Sequence, residues 1–223
     1  MRLFKPHELP GTLICVEGID GSGKSTQLAI LRDWLKSKNL DVIFTEWNSS
    51  DLISQTTKKA KKKNLLSPRT FSLLHAVDFA DRLEQIIIPA MKAGFIVLAD
   101  RYVYTAFARD VARGVDRDWV RSMYGFAIKP DLALYYSIPA EVSLERICAN
   151  RAPSFYEAGM DLKLSNNPYK SYVIFQSRVN EEYADMVNEF GLVRIDANNT
   201  IHSKQVLLRQ YVTELLSKKG IQI

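Results

Sequence analysis

Apolar residues in this chain follow two rhythms. Some stand in short runs: Thr12-Leu13-Ile14-Cys15-Val16, Asp41-Val42-Ile43-Phe44-Thr45, Phe95-Ile96-Val97-Leu98-Ala99, Asp131-Leu132-Ala133-Leu134-Tyr135-Tyr136 and Leu192-Val193-Arg194-Ile195. Short runs without alternation predict buried strands. The other apolar residues recur three and four apart, as on one side of a helix. Gln27 to Lys36 carries Leu28, Leu31, Trp34 and Leu35 in this way. Ser67-Pro68 is a helix start with proline in the first turn, and an apolar stripe runs from Phe71 to Ile87. Pro89 is expected to kink that helix and Gly94 to close it. Further helices are expected over about 103–112 and 116–127, joined at Gly114, then from Pro139 to Asn150, Pro168 to Glu189 and Ile201 to Lys218. Arg151 to Asn167 is polar and irregular, as a lid would be.

Strands and helices alternate from end to end. This predicts one α/β domain over residues 1–223, with a five-stranded parallel sheet, helices on both faces and a lid over about 151–167. In such a sheet, ligands gather at the carboxyl ends of the strands.

Between the first strand and the first helix stands Gly18-Ile19-Asp20-Gly21-Ser22-Gly23-Lys24-Ser25-Thr26. It matches G-x-x-x-x-G-K-[ST] in the strand–loop–helix setting that a phosphate loop requires. The glycines let backbone N–H groups wrap a polyanion, and the helix that follows adds its N-terminal dipole. Lys24 can reach the β- and γ-phosphates, and the Ser25 hydroxyl can ligate Mg²⁺. ATP with Mg²⁺ is therefore expected on Gly18, Asp20, Gly21, Ser22, Gly23, Lys24, Ser25 and Thr26, and the fold becomes a three-layer P-loop NTPase fold.

Most other candidates stand near strand ends or the lid. Asp100 ends the third strand and could hold the metal through water, or cap the next helix. Arg82 and Arg101 could clamp an acceptor phosphate, or serve as ordinary salt-bridge partners. Arg146 and Arg151 lie at a helix end and at the mouth of the lid, where a guanidinium can stack on adenine or meet the transferring phosphoryl group. Asp20 either hydrogen-bonds a sugar hydroxyl or braces the loop. Glu46, after the second strand, is either a structural carboxylate or a general base.

Composition sharpens this only in part. With 47% hydrophobic residues in 223, the chain can bury a sizeable core. The two cysteines, Cys15 and Cys148, read as buried thiols, which favours a cytoplasmic protein. The N-terminus lacks an apolar signal core and no run approaches membrane-spanning length. The net charge of +5 suits an anionic substrate. Lys58, Lys59, Lys61, Lys62 and Lys63 face all round a helix. The favoured reading is a solvated segment; the alternative is an electrostatic funnel for a phosphorylated substrate. No aromatic residue interleaves them, so nucleic acid is not expected as a partner.

Together these residues resemble the thymidylate kinase family of P-loop nucleoside monophosphate kinases, over nearly the whole chain. The resemblance is carried by Glu17-Gly-Ile-Asp20-Gly-Ser-Gly-Lys24-Ser-Thr, Phe79-Ala-Asp81-Arg82, Asp100-Arg101-Tyr102, Lys129-Pro130-Asp131-Leu132-Ala-Leu-Tyr, the helix from Pro139 to Arg146 and Arg151, and Gln176-Ser-Arg178-Val-Asn-Glu-Glu-Tyr183. It implies transfer of the ATP γ-phosphate to dTMP with Mg²⁺, by a homodimer packed through helices. It further implies that Asp20 contacts the sugar 3′-hydroxyl, Arg82 and Arg101 the monophosphate, and Arg146 the adenine. Phe79 and Tyr102 join the substrate side. Gly21 stands where some members carry an arginine, which resembles the subtype that takes its catalytic arginine from the lid, here Arg151. Two departures stand out. Glu46 occupies the region where members carry a basic residue, and Asp78 stands where members place a phenylalanine that stacks on thymine.

Two other readings remain. In a nucleoside kinase, Glu46 would take the proton of a 5′-hydroxyl. In a nucleotide-binding regulatory module there would be no transfer; the arginine-bearing lid and the absence of an N-K-x-D motif argue against a GTPase switch.

Overall fold

The computed structural model describes residues 4–63 and 66–222. Its sheet has five parallel strands, β1 (Thr12–Glu17), β2 (Val42–Glu46), β3 (Ile96–Asp100), β4 (Leu132–Ser137) and β5 (Val193–Asp196), in the spatial order β2-β3-β1-β4-β5. β1 and β3 lie inside the sheet and are buried at every position, which is why their sequences show no alternation. β2 and β5 are the edges, and Phe44 on β2 remains partly exposed. The register places Val16 beside Asp100 and Asp100 beside Glu46, so the ends of β1, β3 and β2 form one ledge.

Helices cover both faces. They are α1 (Lys24–Ser37), α2 (Ser54–Lys62), α3 (Pro68–Arg82), α4 (Ile88–Lys92), α5 (Val103–Val111), α6 (Arg117–Met123), α7 (Ala140–Cys148), α8 (Pro168–Phe190) and α9 (Ile201–Lys218). α1 packs on α9, while α5 and α7 pack on α8. Ser67 caps α3 through the Thr70 N–H, with Pro68 in the first turn as expected.

Three details differ from expectation. A π-helical turn, Leu83–Ile87, precedes Pro89; widening the hydrogen-bond ladder there accommodates a residue that has no N–H to give. α6 stops at Met123, because the chain turns at Gly125 and sends Tyr124 and Phe126 against Phe79. Cys15 is buried, but Cys148 at the end of α7 is exposed, so only one thiol belongs to the core. The segment 151–167 is irregular apart from one 3-10 turn, Met160–Leu162, and it is docked. Gln176 of α8 donates to the Glu157 carbonyl at 2.7 Å, and a Cβ on Gly159 would meet the Phe175 ring at 2.7 Å.

Candidate active site

β1 delivers the phosphate loop from a fixed point. The Glu17 carboxylate is fully buried and accepts the Tyr102 N–H (2.6 Å), the Thr105 hydroxyl (2.6 Å) and the Tyr183 hydroxyl (2.9 Å). Burial raises its pKa, and these donors with Arg101 offset part of the rise. The strand end is thereby tied to α5 and α8. Two glycines that follow are sterically required. Gly18 has φ +137° and its Cβ would stand 2.6 Å from the Tyr136 carbonyl; Gly21 has φ +74° and its Cβ would stand 2.8 Å from the Ser143 carbonyl. Lys24 opens α1 and donates to the Ile19 carbonyl (2.8 Å) and the Ser22 hydroxyl (3.3 Å), inside the loop's concavity. Burial and then Arg101 push its pKa down to about 7, against the pull of Asp100 and Asp20. A phosphate beside the ammonium would restore its charge.

The Ser25 hydroxyl donates to one Asp100 carboxylate oxygen at 2.5 Å, while the other Asp100 oxygen is buried without a hydrogen-bond partner. Among the described residues no group of three or more His, Cys, Asp or Glu could by itself hold a metal. A hydroxyl and a carboxylate are hard oxygen donors that suit Mg²⁺, whose other ligands are phosphate oxygens and water. The donor set fits.

Within the loop, one carboxylate lies between two arginines. Asp20 accepts from Arg101 at 2.6 Å and also from Arg109. Burial alone would raise the Asp20 carboxyl; Arg109, Arg101 and Lys24 overcome it and hold the group well below its ordinary value. Arg101 carries φ +76°, a left-handed conformation rare for a residue with a Cβ, and its guanidinium also donates to the Gly18 carbonyl at 2.8 Å. Sequence reasoning missed Arg109. Its spacing signal is the series Arg101, Thr105, Arg109, four apart, with Arg101 just before α5 and the other two on it. Arg82 is fully buried. Its Nε donates to the Thr45 hydroxyl at 3.1 Å, Asp78 stands 3.6 Å away, and both terminal nitrogens lack hydrogen-bond partners. Burial lowers its pKa against Asp78.

Asp20, Gly21, Gly23, Lys24, Ser25, Thr26, Glu46, Trp47, Asp100, Arg101 and Arg146 line one cavity of about 470 Å³; Gly18 and Ser22 are buried. Arg146 donates to the Ala197 carbonyl at 3.2 Å. Arg151 is exposed on the 151–167 segment in a two-pronged pair with Glu157 at 2.7 and 2.8 Å. The structure does not bring Phe79 or Tyr102 to the cavity. Phe79 is in an aromatic core with Trp47, Tyr102 and Tyr124, and the Tyr102 hydroxyl donates to the Ile128 carbonyl. Both rings turn inward because burying them completes the core. Asp78 braces a loop: its carboxylate accepts the N–H groups of Asn48 (3.0 Å) and Ser50 (2.9 Å). That loop seats Trp47 beneath Arg82, with 5.8 Å from guanidinium carbon to ring centroid.

A family model described as thymidylate kinase matches residues 16–206. A probable thymidylate kinase 2 of Saccharolobus solfataricus is 46% identical over 208 residues, covering 92% of this chain and 97% of the relative. Probable thymidylate kinases of Thermococcus onnurineus (31% identical; 82% of this chain, 87% of the relative) and Pyrococcus horikoshii (32%; 89% and 95%) are also similar.

Proposed function

Because the chain belongs to the thymidylate kinase family, we propose that it transfers the γ-phosphoryl group of ATP to dTMP, giving dTDP and ADP. The observation that carries this reading is the cavity lined both by the phosphate loop and by the Asp20–Arg101 pair. ATP with Mg²⁺ supplies the phosphoryl group and the charge of the metal. Lys24 and the loop N–H groups would hold the donor phosphates, and Ser25 with Asp100 would hold the metal. Arg101 and Arg109 turn from Asp20 to the incoming phosphate, with Arg82 behind them. Asp20, so released, accepts from the sugar 3′-hydroxyl. Arg146 covers the adenine side. Arg151 leaves Glu157 as the lid closes, which brings its charge to the transferring group and keeps water out. The working unit in this reading is a cytoplasmic homodimer.

The test is ATP-dependent ADP release against dTMP, dUMP, dCMP, dGMP, thymidine and deoxycytidine, with and without Mg²⁺. Turnover led by dTMP and dependent on Mg²⁺ is the expected result. One observation keeps a second reading in view: Glu46 is exposed and lines the cavity. Turnover with the nucleosides alone would make Glu46 a general base and overturn the monophosphate reading.

A further inference from the structure

The lysine-rich helix α2 is not uniformly solvated. Lys58, Lys59, Lys62 and Lys63 are exposed, but Thr57 is buried and Lys61, one turn on, is half-buried on the same face. The position of α2 is set by α3. Asp78 holds the Asn48 and Ser50 N–H groups, Asp81 accepts the Ser50 hydroxyl at 2.6 Å, and the Ser50 carbonyl accepts the Ser54 N–H at 3.0 Å as α2 begins. Lys61 therefore points inward from a braced helix. Its ammonium stands 5.0 Å from the centre of the Phe71 ring, which also lies 4.9 Å from the Arg113 guanidinium carbon and stacks on Tyr156 of the lid.

The charge around it is unbalanced. Asp20 on the phosphate loop and Asp78 on α3 attract it, Arg109 on α5 and Arg113 just beyond repel it, and His75 on α3 feels it in turn. Asp20 is shared by two arginines, Asp78 stands beside Arg82 and Asp161 pairs with Arg113. Among the described residues Lys61 has the aromatic ring and no carboxylate within ion-pair distance. Burial and then Arg109 and Arg113 push its pKa down to about 8. Glu46 lines the same cavity as Asp20 and Arg101 and would repel a phosphate dianion there, which a further cation would offset.

We propose that Lys61 is a phosphate contact of the acceptor subsite, delivered by α2 across Phe71 to the monophosphate of the incoming nucleotide. This rests on the reading that the acceptor is a nucleoside monophosphate bound between Asp20, Arg82 and Arg101. A charged hydrogen bond of this kind corresponds to about a tenfold or larger change in affinity.

Calorimetric titration of the whole chain with dTMP and with thymidine, for wild type, Lys61→Ala, Lys61→Arg and Lys62→Ala, tests it. Lys61→Ala is expected to weaken dTMP at least about tenfold, to leave thymidine and ATP within about twofold, and to keep the melting temperature. Lys61→Arg restores dTMP binding, and Lys62→Ala matches wild type. Wild-type affinity for dTMP falls above about pH 8 as the ammonium loses its proton, and Lys61→Arg flattens that fall. Unchanged dTMP affinity in Lys61→Ala overturns the assignment and leaves the monophosphate reading standing. Equal losses for dTMP and thymidine also overturn it, because they show a packing role. A wild type that binds thymidine but not dTMP refutes the monophosphate reading itself, and the Lys61 contact with it.

Discussion

The two halves of the cavity are built differently. In the proposed function the phosphate-holding part of the donor half is one continuous stretch, Gly18 to Thr26, whose ligands would be backbone N–H groups, one lysine and one hydroxyl on the first turn of α1, with Asp100 and Arg146 joining from other elements. The acceptor half, in the proposed function, draws on four separate segments: Asp20, Arg101 and Trp47 line the cavity, Arg109 pairs with Asp20, and Arg82 and Asp78 on α3 are buried behind Trp47. In the donor half, geometry is dictated locally, and Gly18 and Gly21 each lie against a carbonyl that a Cβ would strike. In the acceptor half, positions depend on pairs formed across the chain, so one residue can change role without the fold changing. Asp78 is the example. Where the family resemblance expects a base-stacking ring, it braces the 47–50 loop.

The largest expected effect lies in the donor half. Lys24→Ala should lower kcat by about 10²–10³-fold or more, the scale of losing one preorganised charge at a transition state. The melting temperature should hold, because in the free protein the Lys24 ammonium is buried at a cost and its removal relieves that cost. Steady-state ADP release with a thermal melt on the same sample checks both. Near-normal turnover would mean that the phosphate loop does not hold the donor.

The acceptor half should respond through stability before chemistry. Asp78→Phe restores the ring that the family resemblance expects, yet it removes the acceptor of two backbone N–H groups, one of them buried, and the partner of a buried arginine. It is expected to destabilise the fold by about 3–5 kcal/mol, the scale of leaving a buried charge without its partner. It should also raise KM for dTMP more than KM for ATP, since Trp47 and α2 lose their anchor. Urea unfolding and the two KM values measure this. An Asp78→Phe protein that is as stable as wild type and binds dTMP more tightly would show that the position faces the base.

The same division explains what the sequence made legible. The phosphate loop, the strand runs and the Asp100–Arg101 pair are local signals, and each stands where its spacing predicts. Phe79 misled because aromatic residues on a helix mark a core as readily as a ligand, and here the core takes it. Arg109 was obscured because its partner, Asp20, is 89 residues away. Lys61 was hidden inside a run of like residues, where composition suggests a solvated surface. The inward face appears only once Asp78 and Asp81 are seen to fix the helix.

The smallest expected effect concerns protons and separates the halves by titration. Lys24, held near 7 in the free protein, is mostly neutral at pH 8. ATP phosphates return it toward its ordinary value near 10.5, so binding at pH 8 should take up close to one proton, and binding at pH 6 should take up little at this group. The sign for stability follows from the same shift. A lysine whose folded pKa is lowered disfavours the fold fully below about pH 7, and the penalty fades as pH rises toward 10.5, so this group makes the free protein more stable with rising pH over that window. ATP titrations at pH 8 in buffers of different ionisation enthalpy read the uptake, and Lys24→Met should abolish it. Uptake that survives in Lys24→Met would have to come from another group. Lys61, held near 8, is the candidate, and the donor and acceptor halves would then be linked through charge across the cavity.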